Sequence, residues 1–476
     1  MRINKSKIDF ICERIIEYSL YTLIFFLPTS KSMIEVCATV AILAWLLKKV
    51  NNFETHKISL KIPHSLRVTL ALSLMLLIPL AVIIASALST RHMDLSLNTP
   101  VPLYIAVLIS LVALAALTII MFSLALSRYV GHRLKIPLFL FMDIAIITAM
   151  FTSRYINISM GAFFFKTLEY LLIFIIIAET INTRRRIGNI LLTIFTSSLI
   201  VGLDGIYQQV TGFDFLRNFP LYADVKVSAA FQFSNNLGTY LAAVIPISAS
   251  LVLFKATNKT YRFILSALFL LLAVCLLLSQ ARGAWLGFIL GFLFVSLLSG
   301  KKNFLLAVFL LILFAVSAGL FGNIYLKEQV RSFAHLKTDQ STNDRMIMWK
   351  TALRMFADRP ILGQGLGTFM HSFEKFKPKS YREIVYAHNC FLQMAVETGI
   401  LGLLAFLWFI LSLLRKASTR LFMPNDIFLK AVSIGIIGGI LAYLVNSFFD
   451  NNLYSLPLAA LFWAMSGLAA AEIRAD

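Results

Sequence analysis

His388 opens the run AHNCFLQMAVETGILG at 387–402, in which Asn389, Gln393 and Glu397 recur every four residues. On a helix that spacing lines two amides and a carboxyl along one face about two turns deep. The residues around them are apolar enough to enter a bilayer, so the stripe must face protein or a wet cavity rather than lipid. An imidazole, with an ordinary pKa near ~6.5, takes up a proton at neutral pH and is suited to general-base work. The structural alternative is a capped helix held to a neighbour through a Glu397–Gln393 hydrogen bond.

Two arginines supply the complementary chemistry. Arg282 lies in LLLSQARGAWLGF (276–288), between two apolar runs and beside Ser279 and Gln280, and Arg345 lies in DRMIMWKTALRMFADRP (344–360). Guanidinium forks grip phosphate or pyrophosphate oxygens in pairs. Asn235 and Asn236 open another apolar run, FQFSNNLGTYLAAVIPIS (231–248), and offer hydrogen bonds to sugar or phosphate oxygens. Blander roles stand beside these: Arg282 snorkelling to headgroups with Trp285 as an interfacial anchor, and the asparagines capping a helix. The GQGLGTF stretch (363–369) has no preceding strand and lacks the spacing of a nucleotide loop, so it reads as a tight turn. Cys12, Cys37, Cys275 and Cys390 fall at different depths and form no disulfide framework; Cys390 reads as a small buried residue.

The elements that position these groups are read from hydropathy. With 59% hydrophobic and 14% charged residues and a mean hydropathy of +0.83, the chain is a polytopic membrane protein. Its apolar runs are continuous rather than alternating, which specifies helices and excludes a barrel. Fourteen candidate spans cover roughly 15–29, 33–47, 68–89, 102–127, 136–152, 159–181, 190–210, 235–254, 263–281, 283–299, 303–322, 391–414, 427–446 and 453–472. The expected architecture is all-α, with about 12–14 transmembrane helices and one long, partly helical outer loop. It divides into an N-terminal bundle (1–322), the loop (323–390) and C-terminal helices (391–476).

Net charge is +20, but the distribution of Lys and Arg assigns it to membrane orientation rather than to nucleic acid. With the N-terminus inside, the inner connectors hold 25 basic residues and the short outer ones 6. This predicts both termini in the cytoplasm, with His388, Arg282, Arg345 and the asparagines on the outer face. The first run has a basic approach and no small-residue cleavage site, so it reads as a retained span. Residues 323–390 carry eleven basic and six acidic residues, and long loops escape the orientation rule. Anionic headgroups or an anionic substrate account for that excess. Inside this segment Asp344 to Pro360 predicts a helix with Trp349, Leu353 and Phe356 on its apolar face.

The ordered set FSNNLGTYLAAVIP, LLLSQARGAWLG, DRMIMWKTALRMFADRPILGQGLGTF and AHNCFLQMAVETGILGLLAF resembles the O-antigen ligase and polymerase superfamily of membrane glycosyltransferases. The similarity covers roughly residues 230–470. It implies an inner-membrane enzyme with a periplasmic site, a glycan donor linked to undecaprenyl pyrophosphate, a lipid A-core hydroxyl as acceptor, and no cofactor. By the same resemblance His388 matches the family's general base, while Arg282 and Arg345 match the arginines that hold the pyrophosphate. Ala281 departs from the family's pattern, which commonly has a small hydroxyl residue before the arginine. No Asp-X-Asp pair stands on an outer connector, which predicts metal independence and a single inverting displacement. A polymerase with a lipid-linked acceptor has the same chemistry; a solute transporter is the rival of another class, and no internal repeat supports it.

Overall fold

A computed structural model describes residues 5–53, 132–223, 225–321, 340–379, 386–422 and 426–472. The expected spans at 68–89 and 102–127, and the loop stretches 322–339 and 380–385, lie outside the described residues. In chain order the helices are α1 (Lys5–Phe26), α2 (Lys31–Phe53), α3 (His132–Ile147), α4 (Ile156–Ala162), α5 (Leu168–Thr180), α6 (Arg184–Thr211), α7 (Ser234–Leu253) and α8 (Lys259–Leu278). They continue with α9 (Arg282–Ser299), α10 (Lys301–Phe321), α11 (Gln340–Asp358), α12 (Phe369–Phe376), α13 (Cys390–Ser418), α14 (Ile427–Asn446) and α15 (Leu456–Ala470). π-helical turns at Thr148–Thr152 and Phe163–Thr167 extend α3 and join α4 to α5.

The protein is an all-α polytopic membrane protein. Among the described residues eight helical stretches are long and apolar enough to cross a bilayer: Leu134–Thr152, Ile156–Thr180, Arg184–Thr211, Ser234–Leu253, Lys259–Leu278, Arg282–Ser299, Cys390–Leu421 and Ile427–Asn446. Each coincides with an expected span, and α1, α2, α10 and α15 occupy four more.

Small residues decide which helices touch most closely. α14 lies between α7 and α9: a Cβ at Gly287 would stand 2.3 Å from the Ala442 carbonyl oxygen, and one at Gly439 would stand 2.2 Å from that of Ala243. Lipid tails are as apolar as Leu, so close backbone approach replaces the hydrophobic drive between such helices. Larger rings fill the other side of the bundle, where Phe406, Phe409, Phe462, Trp463 and Phe174 pack edge and face at 5.2–6.5 Å. Glu13 on α1 pairs with Lys48 on α2 (2.9 Å) and with Arg186 on α6 (2.5 Å), tying the first hairpin to α6.

The helix in the long loop forms as expected and Phe356 packs on its core side, but Leu353 does not. Met348, Ala352 and Met355 are buried, whereas Leu353 is 55% exposed. Phe369 and Phe373 from α12, with Ala387 and Val396, supply the bulk of this small core. α11 meets them through Ala352, Met355 and Phe356, and Leu353 is left outside this contact.

Candidate functional site

The turn between α14 and α15, residues 446–452, is where the candidate side chains meet. His388 precedes α13 with φ +46°, a left-handed conformation uncommon outside glycine that histidine adopts more readily than most. Its Nδ1 lies 3.3 Å from Oδ1 of Asp450, and the ring remains about one-third exposed. Among the described residues the ring makes no other hydrogen bond. Asp450 Oδ1 also accepts the Asn451 N–H (2.8 Å), which fixes the carboxylate toward the imidazole. A carboxylate on Nδ1 selects the tautomer that leaves Nε2 as a proton acceptor.

The polar stripe on α13 is a continuous chain of hydrogen bonds. Asn389 caps the helix by accepting the Leu392 N–H (3.0 Å), and its own N–H donates to Asn451 Oδ1 (3.0 Å). Asn451 donates to Gln393 Oε1 (2.8 Å), Gln393 donates to Glu397 (3.1 Å), and Glu397 accepts the Gly367 N–H (2.9 Å). The Glu397–Gln393 bond expected of a structural stripe is therefore present. Gln393 and Glu397 are buried, so they support the site from behind. Tyr386, ahead of His388, has its phenol pushed upward by burial and then by the charge of Glu397, so it stays protonated. Glu397→Ala leaves the Gly367 N–H and the Gln393 amide without an acceptor, at about 1–3 kcal/mol each. The unfolding midpoint of the detergent-solubilised protein falls accordingly; an unchanged midpoint removes Glu397 from this role.

The GQGLGTF stretch has a use that a simple surface turn lacks. α13 breaks at Gly399 (φ +68°), and residues 360–365 fill the break. Gln364 and Gly365 donate to the carbonyls of Val396 and Glu397 (2.8 and 3.1 Å), and Ile400 donates to that of Pro360 (2.8 Å). A broken helix in a membrane protein survives only where protein satisfies its freed backbone groups. Arg359 adds a hydrogen bond to the Thr152 carbonyl, joining the loop to the interruption between α3 and α4.

Arg282 begins α9, two residues after Gln280, which has φ +52°. Gly283 is pressed against the shared turn: a Cβ there would lie 2.5 Å from Asn446 Oδ1 and 2.9 Å from Phe449 Cβ. Phe449 is the neighbour of Asp450, so the Arg282 helix start and His388 are anchored to the same few residues. Trp285 donates across the hairpin to the Leu276 carbonyl (2.7 Å). Gln280 is buried and donates weakly to the Val225 carbonyl (3.4 Å).

Asn235 and Asn236 do not cap α7; Phe233 holds the cap position with no side-chain bond, leaving both asparagines in the first helical turn, half-buried. One turn on, Gly238 lies against Ala281 and Ala284 of the hairpin. Thr239 donates to Asn452 (3.2 Å) and accepts from Asn446 (2.6 Å). Asn235, Asn236, Gln280, Arg282, His388 and Asn389 thus stand on elements that converge on 446–452. Arg345 is different: it lies near the start of α11, about two turns before the small core that holds Ala387 next to His388.

Sequence reasoning missed Asp450, Asn451, Asn446 and Asn452. The available signal was the polar run DNN (450–452) between two apolar spans. It also missed Lys166, which sits on the π-helical turn between α4 and α5 and lines a cavity of about 80 Å³ beneath the glycine loop with Thr167, Gly367, Glu397 and Tyr454. That volume has room for several waters, since one needs about 10–15 Å³.

Residues 267–407 match the family model described as O-antigen ligase. The matched stretch runs from α8 into α13 and contains Arg282, Arg345, His388, Gln393 and Glu397. A Rickettsia conorii protein provisionally named a polysaccharide ligase is 23% identical over 306 residues, covering 52% of this chain and 69% of the relative. Over residues 267–407 this multi-pass membrane protein is therefore similar to the O-antigen ligase family.

Proposed function

We propose that the protein is a membrane glycosyltransferase that moves a glycan en bloc from undecaprenyl pyrophosphate to a hydroxyl of lipid A-core, at a site facing the periplasm with both termini in the cytoplasm. The observation that carries the reading is the His388–Asp450 pair on the turn against which the Arg282 helix start also packs. His388 Nε2 takes the proton of the acceptor hydroxyl as that oxygen bonds to the anomeric carbon. The bond from that carbon to the pyrophosphate oxygen breaks on the opposite side, and its electron pair leaves with the pyrophosphate. Arg282 and Arg345 neutralise the developing charge. A single displacement of this kind inverts the anomeric centre, and the imidazolium then releases its proton to water. Asn235, Asn236, Gln280 and Asn389 contact substrate oxygens, while Gln393 and Glu397 act on them through the hydrogen-bond chain.

Arg282→Gln is expected to lower the transfer rate about 10²–10³-fold, the usual effect of losing one preorganised donor at a charged transition state. Arg282→Lys recovers part of it, because charge remains while the fork is lost. With arginines in this role the reaction runs in EDTA. Activity abolished by EDTA and restored by magnesium would transfer the neutralising role to a metal ion. The acceptor is tested by deleting the gene: loss of capped lipopolysaccharide with lipid-linked polymer accumulating supports ligation to core, whereas core carrying a single repeat assigns the chain to polymerisation.

A further inference from the structure

At the opposite end of α13 from His388, a second pocket lies between α6, α14, α15 and the short 3-10 turn Thr419–Phe422. Arg420 and Ser433 line it, among Ile187, Leu191, Val432 and Leu468. Both are more than nine-tenths buried, at 7% and 3% exposure. Arg420 Nη1 donates to the Leu468 carbonyl (3.2 Å), but its Nη2 and the Ser433 hydroxyl have no hydrogen-bond partner among the described residues. No carboxylate among the described residues makes an ion pair with Arg420; Glu472, whose direct partner is Lys416 (3.1 Å), offsets only part of its charge through space.

A guanidinium taken out of water without a counter-charge is costly, and removing one partner of a buried pair leaves the same defect. The last turn of α15 supplies partial negative charge through its free carbonyls, which offsets some of this cost. A bridging water would satisfy the hydrogen bonds but bring no negative charge into contact with the guanidinium. The pocket's free space, about 10 Å³, admits one oxygen atom and little more. The surrounding end of the bundle is basic. Arg184 is paired with Asp426 and Lys416 with Glu472, while Arg185, Arg415 and Lys430 make no ion pair among the described residues.

We propose that this pocket is an oxoanion site in which Arg420 and Ser433 receive one oxygen of a phosphate group, the phosphorus and its remaining oxygens staying at the basic mouth. An anionic phospholipid headgroup meets these requirements at this end of a transmembrane bundle. The site is independent of the transfer chemistry, and its failure would leave that reading untouched.

The test uses the full-length, delipidated protein in detergent. Short-chain phosphatidylglycerol, phosphatidylcholine and inorganic phosphate are titrated separately, with bound lipid counted by native mass spectrometry and phosphate by calorimetry. Phosphatidylglycerol is expected to bind more tightly than phosphatidylcholine, with Arg420→Gln weakening it about tenfold or more, the loss of one charged hydrogen bond. Ser433→Ala, which removes a single hydroxyl and should fold normally, weakens it several-fold. Tighter binding of inorganic phosphate than of phosphatidylglycerol, with the same dependence on both residues, retains the oxoanion site and makes its source soluble. Equal binding of the anionic and neutral lipids, or a phosphatidylglycerol affinity unchanged in Ser433→Ala, reduces the pocket to a water-bridged arginine and overturns the proposal.

Discussion

Replacing His388 by alanine is expected to lower glycan transfer about 10²–10⁴-fold, the range a positioned general base contributes, which is roughly 3–5 kcal/mol of barrier. The loss should fall on kcat, with the KM for the lipid-linked donor little changed, because the imidazole acts on the acceptor proton only as the new bond forms. Backbone strain complicates the alanine variant, since position 388 is left-handed at φ +46°. His388→Asn removes that ambiguity: asparagine tolerates the same conformation but offers no comparable base. Equal losses in the two variants assign the effect to the imidazole, and asparagine retaining near-wild-type turnover would end the general-base role. Asp450→Asn should lower kcat less than either, because its amide oxygen can still accept from Nδ1 but no longer stabilises an imidazolium. A larger effect of Asp450→Asn on donor KM than on kcat would show that the carboxylate serves binding instead.

Much of the helical plan was legible because hydropathy is a direct physical consequence of the solvent. A run such as Leu268–Leu278 cannot sit anywhere but in apolar surroundings, and the helix that results coincides with its expected span. The four-residue spacing of Asn389, Gln393 and Glu397 was equally direct, and all three belong to one hydrogen-bond chain. The partner that completes it was not readable: Asn451 lies 58 residues beyond Gln393, and nothing local in DNN distinguishes a capping turn from the hub of a site. Leu353 misled for a related reason, since the face a helix buries depends on the bulk its partners bring. Glycine was the least legible signal. Gly363, Gly365 and Gly367 were recognisable as turn residues, but that the turn docks into a break in α13 follows only from the pairing of 360–365 with 396–400.

That pairing makes a second large effect expected at Gly399. A Cβ there would lie 2.0 Å from the Ile361 carbonyl oxygen and 2.3 Å from its carbon, on backbone at φ +68°. Neither atom is the tip of a flexible side chain, so Gly399→Ala must expel the 360–365 segment or unwind the first turns of α13. Expulsion frees three backbone hydrogen bonds at about 1 kcal/mol or more each, with further cost where the exposed groups remain buried. The expected loss is therefore about 3–5 kcal/mol, seen as a collapse of folded yield or a large drop in unfolding midpoint. Gly363→Ala, whose Cβ would stand 2.5 Å from the Glu397 carbonyl, should reproduce it from the other side of the contact. Gly188→Ala on α6 provides the control: no atom lies within 4 Å of its Cβ position, and alanine in a helix interior is neutral or favourable. Because the turns of α13 ahead of the break carry Asn389, Gln393 and Glu397, Gly399→Ala protein that does fold should still transfer slowly. Wild-type stability and turnover in Gly399→Ala would mean that the loop does not brace the helix presenting His388.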